Sequence, residues 1–248
     1  MKASVSPSAA IFAVLLLIFG LQILSAQDVV VQKSDGVSRE GQILGVKANA
    51  IRMKVGPAET GIPLANVASV TMAPPKAYTE VLALWQKGDA AKTLAALAPL
   101  VENYNGLPTK WAERASALLG EVYLAASQTD KAETAFAAFQ KFYPDAGSSA
   151  DIGLARLAVA KKDYAAARVK LVPIVEQARA TKFPDSSTSA VYGQALYLLG
   201  QVQEASAENA EALENYLLAV TIFHEDEAVV AKAAERAEAL KEKKVIVP

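Results

Sequence analysis

A chain of 248 residues with 52% hydrophobic content is long enough for one large core, or for a small domain followed by a short solenoid. Its 25 basic and 26 acidic residues balance, so no global charge draws it to nucleic acid or anionic lipid. Cysteine is absent and His224 is the single histidine, which excludes disulfides, thiol nucleophiles, cysteine zinc sites and the lipid-acceptor cysteine of a bacterial lipoprotein.

Lys2 precedes an almost wholly apolar run from Ile11 to Leu24, and Ser25-Ala26-Gln27 comes next. These are the three parts of a secretory signal over residues 1–26. Fourteen helical residues would span about 21 Å, short of the roughly 30 Å of a hydrocarbon core, so cleavage after Ala26 is expected. An uncleaved anchor is the alternative, because no charge occurs from Ala3 to Gln27. Either outcome places the remainder in an exported compartment: periplasmic or extracellular if cut, held at the inner membrane and facing away from the cytoplasm if not. Membrane contact is expected through this segment alone.

Over residues 28–73 the apolar period becomes two. Val29 to Val31, Gly41 to Val46, Ile51 to Val55 and Val67 to Met72 are separated by Ser34-Asp35-Gly36, Ala48-Asn49 and Gly56 to Gly61, with Ile62-Pro63-Leu64 as a further short strand. Gly41-x-Ile43, Ile51, Ile62-Pro63-Leu64, Val67 and Val70 together resemble an Sm-like or SH3-like barrel. Nucleic acid is not the expected ligand. The segment has no Phe, Tyr or Trp to stack on bases, and its cations, Lys33, Arg39, Lys47, Arg52 and Lys54, are scattered. Gly56 to Gly61 lacks the Lys-Ser/Thr ending of a phosphate loop and reads as a hairpin turn.

Ala73-Pro74-Pro75 closes that segment, and residues 77–244 read as helical. Between Glu113 and Pro144, Leu119-Gly120, Tyr123, Ala132, Phe136 and Tyr143-Pro144 fall at the spacing two short antiparallel helices need to pack closely. That pattern resembles a tetratricopeptide (TPR) repeat. Further copies start at Pro74 (Trp85, Gly88-Asp89, Leu97), at Ser148 (Lys162-Asp163-Tyr164, Ala167, Leu171) and at Gly193 (Leu199-Gly200, Ala212, Tyr216, Ala219). The start-to-start offsets are 39, 35 and 45 by subtraction, and the excess in the last is placed in a loop from Lys182 to Thr188. Pro99 and Pro173 take the same position in two copies, where each either kinks a helix or starts a new one after a break. Asp226 to Lys244 reads as a polar capping helix, and His224 sits at the end of the helix before it. Ala132, Phe136, Phe139 and Tyr143-Pro144 also resemble the repeats of periplasmic envelope proteins, including the cell-division coordinator and outer-membrane-assembly families.

The TPR resemblance implies that the first helix of each repeat lines a concave groove. Its groove positions fall on Tyr78 and Trp85, on Arg114 and Glu121, on Ile152, Arg156 and Val159, and on Gln194, Tyr197, Gln201 and Glu204. Arg114 and Arg156 could hold a carboxylate or an acidic peptide, with Tyr78, Trp85 and Tyr197 as apolar anchors. Trp111 is expected to pack across a repeat junction. Glu211 with Glu214 and Glu225-Asp226-Glu227 are spaced for helix faces and caps, and no nucleophile–base pair stands out, so no catalytic, cofactor or metal residues are assigned. The sequence thus reads as a mainly α protein, a TPR-like solenoid after a small all-β barrel and a signal sequence. Its expected role is that of a non-catalytic exported scaffold binding a protein or peptide partner in cell-envelope organisation. The alternative is a structural protein whose barrel makes it a homo-oligomer.

Overall fold

The computed structural model describes residues 27–33 and 36–247. The candidate signal over residues 1–26 and the Ser34-Asp35 turn lie outside the described residues. The described chain is mainly helical, with one small antiparallel sheet at its N-terminal end.

The strands are β1 (Asp28–Gln32), β2 (Ser38–Lys47), β3 (Ala50–Val55), β4 (Ala58–Pro63) and β5 (Val67–Thr71), in the order β4-β3-β2-β1-β5. Their period of two is plain in β3, where Ile51 and Met53 are buried while Arg52 and Lys54 face water. Ala48 and Asn49 both hold positive φ, 49° and 61°, the combination a two-residue hairpin between β2 and β3 requires. Gly56, at φ 58°, and Pro57 make an equally tight turn into β4, where Ala58 pairs with Val55. The turn expected over Gly56 to Gly61 is therefore shorter. Ala58 to Gly61 extend the ladder, and Arg52 pairs with Glu59 across it at 2.9 Å. Among the described residues no ladder joins β4 to β5, so the sheet stays open where the sequence suggested a closed barrel.

Nine α-helices come after the sheet among the described residues: α1 (Lys76–Gln86), α2 (Ala90–Tyr104), α3 (Lys110–Ala125), α4 (Thr129–Phe142), α5 (Ser148–Ala160), α6 (Tyr164–Ala180), α7 (Ser186–Ala205), α8 (Asn209–Thr221) and α9 (Glu227–Glu242). The first eight form four consecutive hairpins. Each hairpin ends its first helix in the same way. Gly88, Ser127, Lys162 and Ala207 adopt φ of 74°, 58°, 60° and 63°. The next N–H reaches back to a carbonyl one turn inside the helix: Asp89 to Leu84, Gln128 to Tyr123, Asp163 to Ala158 and Glu208 to Gln203, at 2.8 to 3.3 Å. This Schellman closure satisfies carbonyls that the helix end would otherwise leave bare.

Close packing in two hairpins depends on missing side chains. A Cβ at Gly120 or at Gly153 would stand 2.4 or 2.5 Å from the Phe136 ring, so the ring is wedged between α3 and α5. A Cβ at Gly200 would likewise meet the Tyr216 ring at 2.5 Å. The other two hairpins carry the prolines. Both α2 and α6 run unbroken through Pro99 and Pro173, so neither proline starts a new helix. Each removes the donor that would serve the carbonyl one turn earlier.

The sheet and the first helices share one core, which joins Val30, Ile43, Ile51 and Ile62 to Val81, Leu97 and Trp111. The bulge in β2 makes this docking close. Gly45 holds φ 144°, a Cβ there would fall 2.3 Å from the Asn103 Oδ1, and the Asn103 Nδ2 donates to the Leu44 carbonyl at 3.0 Å. Trp111 is buried where α3 begins, edge-on to Tyr104 and tilted against Tyr78. A second core unites α5 to α9. The fourth hairpin begins earlier than its repeat pattern suggested. The Asp185 carboxylate accepts from the Thr188 N–H at 2.9 Å and caps α7, so Ser186 to Thr188 are its first turn and Gly193 lies inside the helix. His224 lies exposed past the end of α8, where Phe223 takes the buried place.

Candidate functional site

The first helix of every hairpin faces a common concavity. Where α1, α3, α5 and α7 converge, a cavity of about 320 Å³ opens. Tyr78, Leu82 and Trp85 recur every three or four residues along α1, so they form one stripe and make one wall. Ala117 and Leu118 of α3, Phe139 of α4, Ile152 of α5 and Val191 of α7 line the cavity as well. A second cavity of about 480 Å³ continues from it past Arg114. Glu113, Arg114, Ser149 and Val191 line both, so the two are lobes of one trough. The second lobe is polar, with Lys110 and the hydroxyls of Ser148, Ser149, Ser187 and Thr188 around it.

Charges along the trough are nearly all spent on each other. Glu113 pairs with Lys110 at 3.1 Å, and Glu121 pairs with Arg156. The Arg156 Nη2 also donates to the Gln194 Oε1 at 3.1 Å, and the Gln194 Nε2 donates to the Asp226 Oδ2 at 2.8 Å. Asp226 in turn caps α9 by accepting from the Val229 N–H. The result is a polar strap from α3 across α5 and α7 to the start of α9. Arg114 stands outside it, exposed, with no hydrogen bond or ion pair among the described residues.

Of the residues expected to line a groove, Tyr78, Trp85, Arg114, Glu121, Ile152 and Gln194 do border this trough. Tyr78 and Ile152 are buried, at 7% and 2% exposure, and serve as wall rather than as open anchors. Burial raises the Tyr78 phenol above its ordinary pKa, with the Arg114 charge opposing. Arg156 is not a second free cation, because it is consumed by the strap. Tyr197, Gln201 and Glu204 gather elsewhere, toward the C-terminal end. The Gln201 Nε2 donates to the Tyr197 hydroxyl at 3.0 Å, while Glu204 accepts from the Tyr216 hydroxyl at 3.1 Å and from the Arg236 Nε at 3.0 Å. Burial, and then the Glu204 charge, push the Tyr216 phenol far above its ordinary pKa.

Leu82 and Val191 were missed in the sequence. Leu82 was within reach, since it lies four residues after Tyr78 and three before Trp85, on the same helical face. Val191 escaped because it precedes the assumed start of its repeat. Among the described residues, no group of three or more histidines and carboxylates is placed to hold a metal ion. Comparison of the chain with protein-family models, with curated proteins and with solved structures finds no match in any of the three.

Proposed function

We propose that this protein is a non-catalytic scaffold whose trough receives a segment of a protein partner. The observation that carries the reading is the gathering of Tyr78, Leu82, Trp85 and Arg114 along one concavity built by the first helices of successive hairpins. A stack of hairpins offers an extended concave surface of this kind, and aromatic and arginine side chains are the usual anchors at protein interfaces. The four hairpins with matching helix ends support the TPR-like reading of the helical part. The strand order supports a small SH3/Sm-like sheet, here docked on the first hairpin. The composition of residues 1–26 supports export, and hence a partner in the cell envelope. Among the described residues no helix is long and apolar enough to cross a membrane.

The test is site-specific photocrosslinking in the full chain, from Leu82 in the trough and from Val169, 72% exposed on α6 and bordering neither lobe. A discrete adduct from Leu82 that Arg114→Glu abolishes, with none from Val169, is the expected result. Equal labelling from both positions would remove the trough as the binding surface.

Self-association through the sheet is a second reading, favoured by the unpaired outer edges of β4 and β5 among the described residues. Pro63 and the exposed Glu59 on β4 oppose it, since proline and charge both discourage strand addition. A mass that stays monomeric over a hundredfold concentration range in light scattering would dismiss it.

A further inference from the structure

We propose that the trough selects an extended segment in which an apolar side chain and an aspartate or glutamate stand two residues apart. This rests on the trough being a peptide groove, as proposed above, and adds the chemistry of what fills it.

Charge complementarity gives the acid. Both carboxylates that line the apolar lobe are already engaged, Glu113 by Lys110 and Glu121 by Arg156. A basic segment would therefore have to displace an existing pair, whereas an acidic one meets an arginine with no hydrogen bond or ion pair among the described residues. Arginine offers a planar fork of donors that fits a carboxylate with two parallel hydrogen bonds. Next to it the wall is apolar, and Leu82 is 37% exposed there.

The spacing comes from helix and strand geometry. Arg114 and Leu118 are four residues apart on α3, which sets them about 6 Å apart along the helix axis. An extended chain places side chains on the same side every second residue, about 6.6 Å apart. An acid over Arg114 and an apolar group over Leu118 are thus matched by residues i and i+2, in either chain direction.

The test is an array of blocked octapeptides carrying Leu or Phe at one, two or three residues from Asp, each beside its Asn counterpart and in both orders. They are titrated against the full chain by fluorescence polarisation. The spacing of two with Asp should bind about tenfold or more above its Asn counterpart. Arg114→Gln should bring the Asp peptides down to the Asn level with unchanged helicity. Arg168→Gln, which touches Glu208 outside the trough, should change nothing. Apolar peptides that bind without regard to Asp, or to its spacing, and that Leu82→Asp abolishes would overturn the acid-spacing inference and keep the groove. Binding by no peptide above the Leu82→Asp background would overturn both.

Discussion

The first and third hairpins differ from the second and fourth, although all four close their first helix alike. In α1/α2 and α5/α6 the second helix starts on an aspartate, Asp89 or Asp163, whose carboxylate accepts from a backbone N–H at 3.0 Å, and it carries a proline, Pro99 or Pro173. In α3/α4 and α7/α8 the second helix lacks a side-chain cap and a proline, and it holds its partner through an aromatic ring seated on glycine. Apolar packing joins the helices in every hairpin, but the start of the second helix is fixed by a local hydrogen bond in one pair and is left without one in the other. A repeat can therefore keep its backbone while the residues that mark it differ.

The largest expected effect removes a ring from the packed pair. Phe136→Ala should cost about 3–5 kcal/mol in chemical denaturation, because the ring fills space between Gly120 and Gly153 that nothing else can occupy. Adding bulk on the other side should cost less. Gly200→Ala is expected to lose about 1–3 kcal/mol, and combining it with Tyr216→Leu should give less than the sum of the two, since both act on one contact. Additivity in that double variant would contradict the ring-on-glycine account.

Alkali should next test the buried phenols. Tyr143, just past α4, accepts from the Gly106 N–H at 3.0 Å, donates to the Leu107 carbonyl, and has its phenol pushed by burial up to about 12. The folded pKa exceeds the unfolded value near 10, so this contribution is complete below pH 10 and is lost as pH rises toward 12. The loss should amount to roughly 2 kcal/mol, with Tyr216 adding to it in the same direction. Denaturant melts from pH 8 to 12 should show the decline, and Tyr143→Phe should make it shallower. A flat profile would refute the role of the buried phenols.

The smallest effects probe what all four hairpins share. Ser127→Gly, Lys162→Gly and Ala207→Gly should each gain about 1 kcal/mol, since glycine alone enters positive φ without strain, and Gly88→Ala should lose a similar amount. Unequal gains between the two kinds of hairpin would mean that the closures are not equivalent.

The helical part was legible because its signals are local. Gly120 with Phe136 and Gly200 with Tyr216 repeat one spacing, and Asp89 and Asp163 announce helix starts. The start of α7 was concealed by Ser186, Ser187 and Thr188, whose loop-like composition is also the chemistry of a capped first turn. Tyr78, Trp85, Arg114 and Glu121 could be placed on one trough from the groove positions that the TPR resemblance implies. The fate of Arg156 could not, because Glu121 and Gln194 reach it from 35 and 38 residues away by subtraction. The open sheet was equally hidden. Alternation marks strands but says nothing about which edges meet, and the core that β1 to β5 share with α1 to α3 is assembled from residues up to 92 positions apart, from Val30 to Val122.

The strap from Glu121 to Asp226 bears on mechanics. A stack of hairpins is a spring, since each contacts only its neighbours and small rotations add up along it. Load that fans the inner edges apart falls on the links of the strap in series, from Arg156 to Gln194 at 3.1 Å and from Gln194 to Asp226 at 2.8 Å. Behind it Ile152 and Leu196 belong to one core, so polar links along the trough and apolar packing at its back both join α5 to α7.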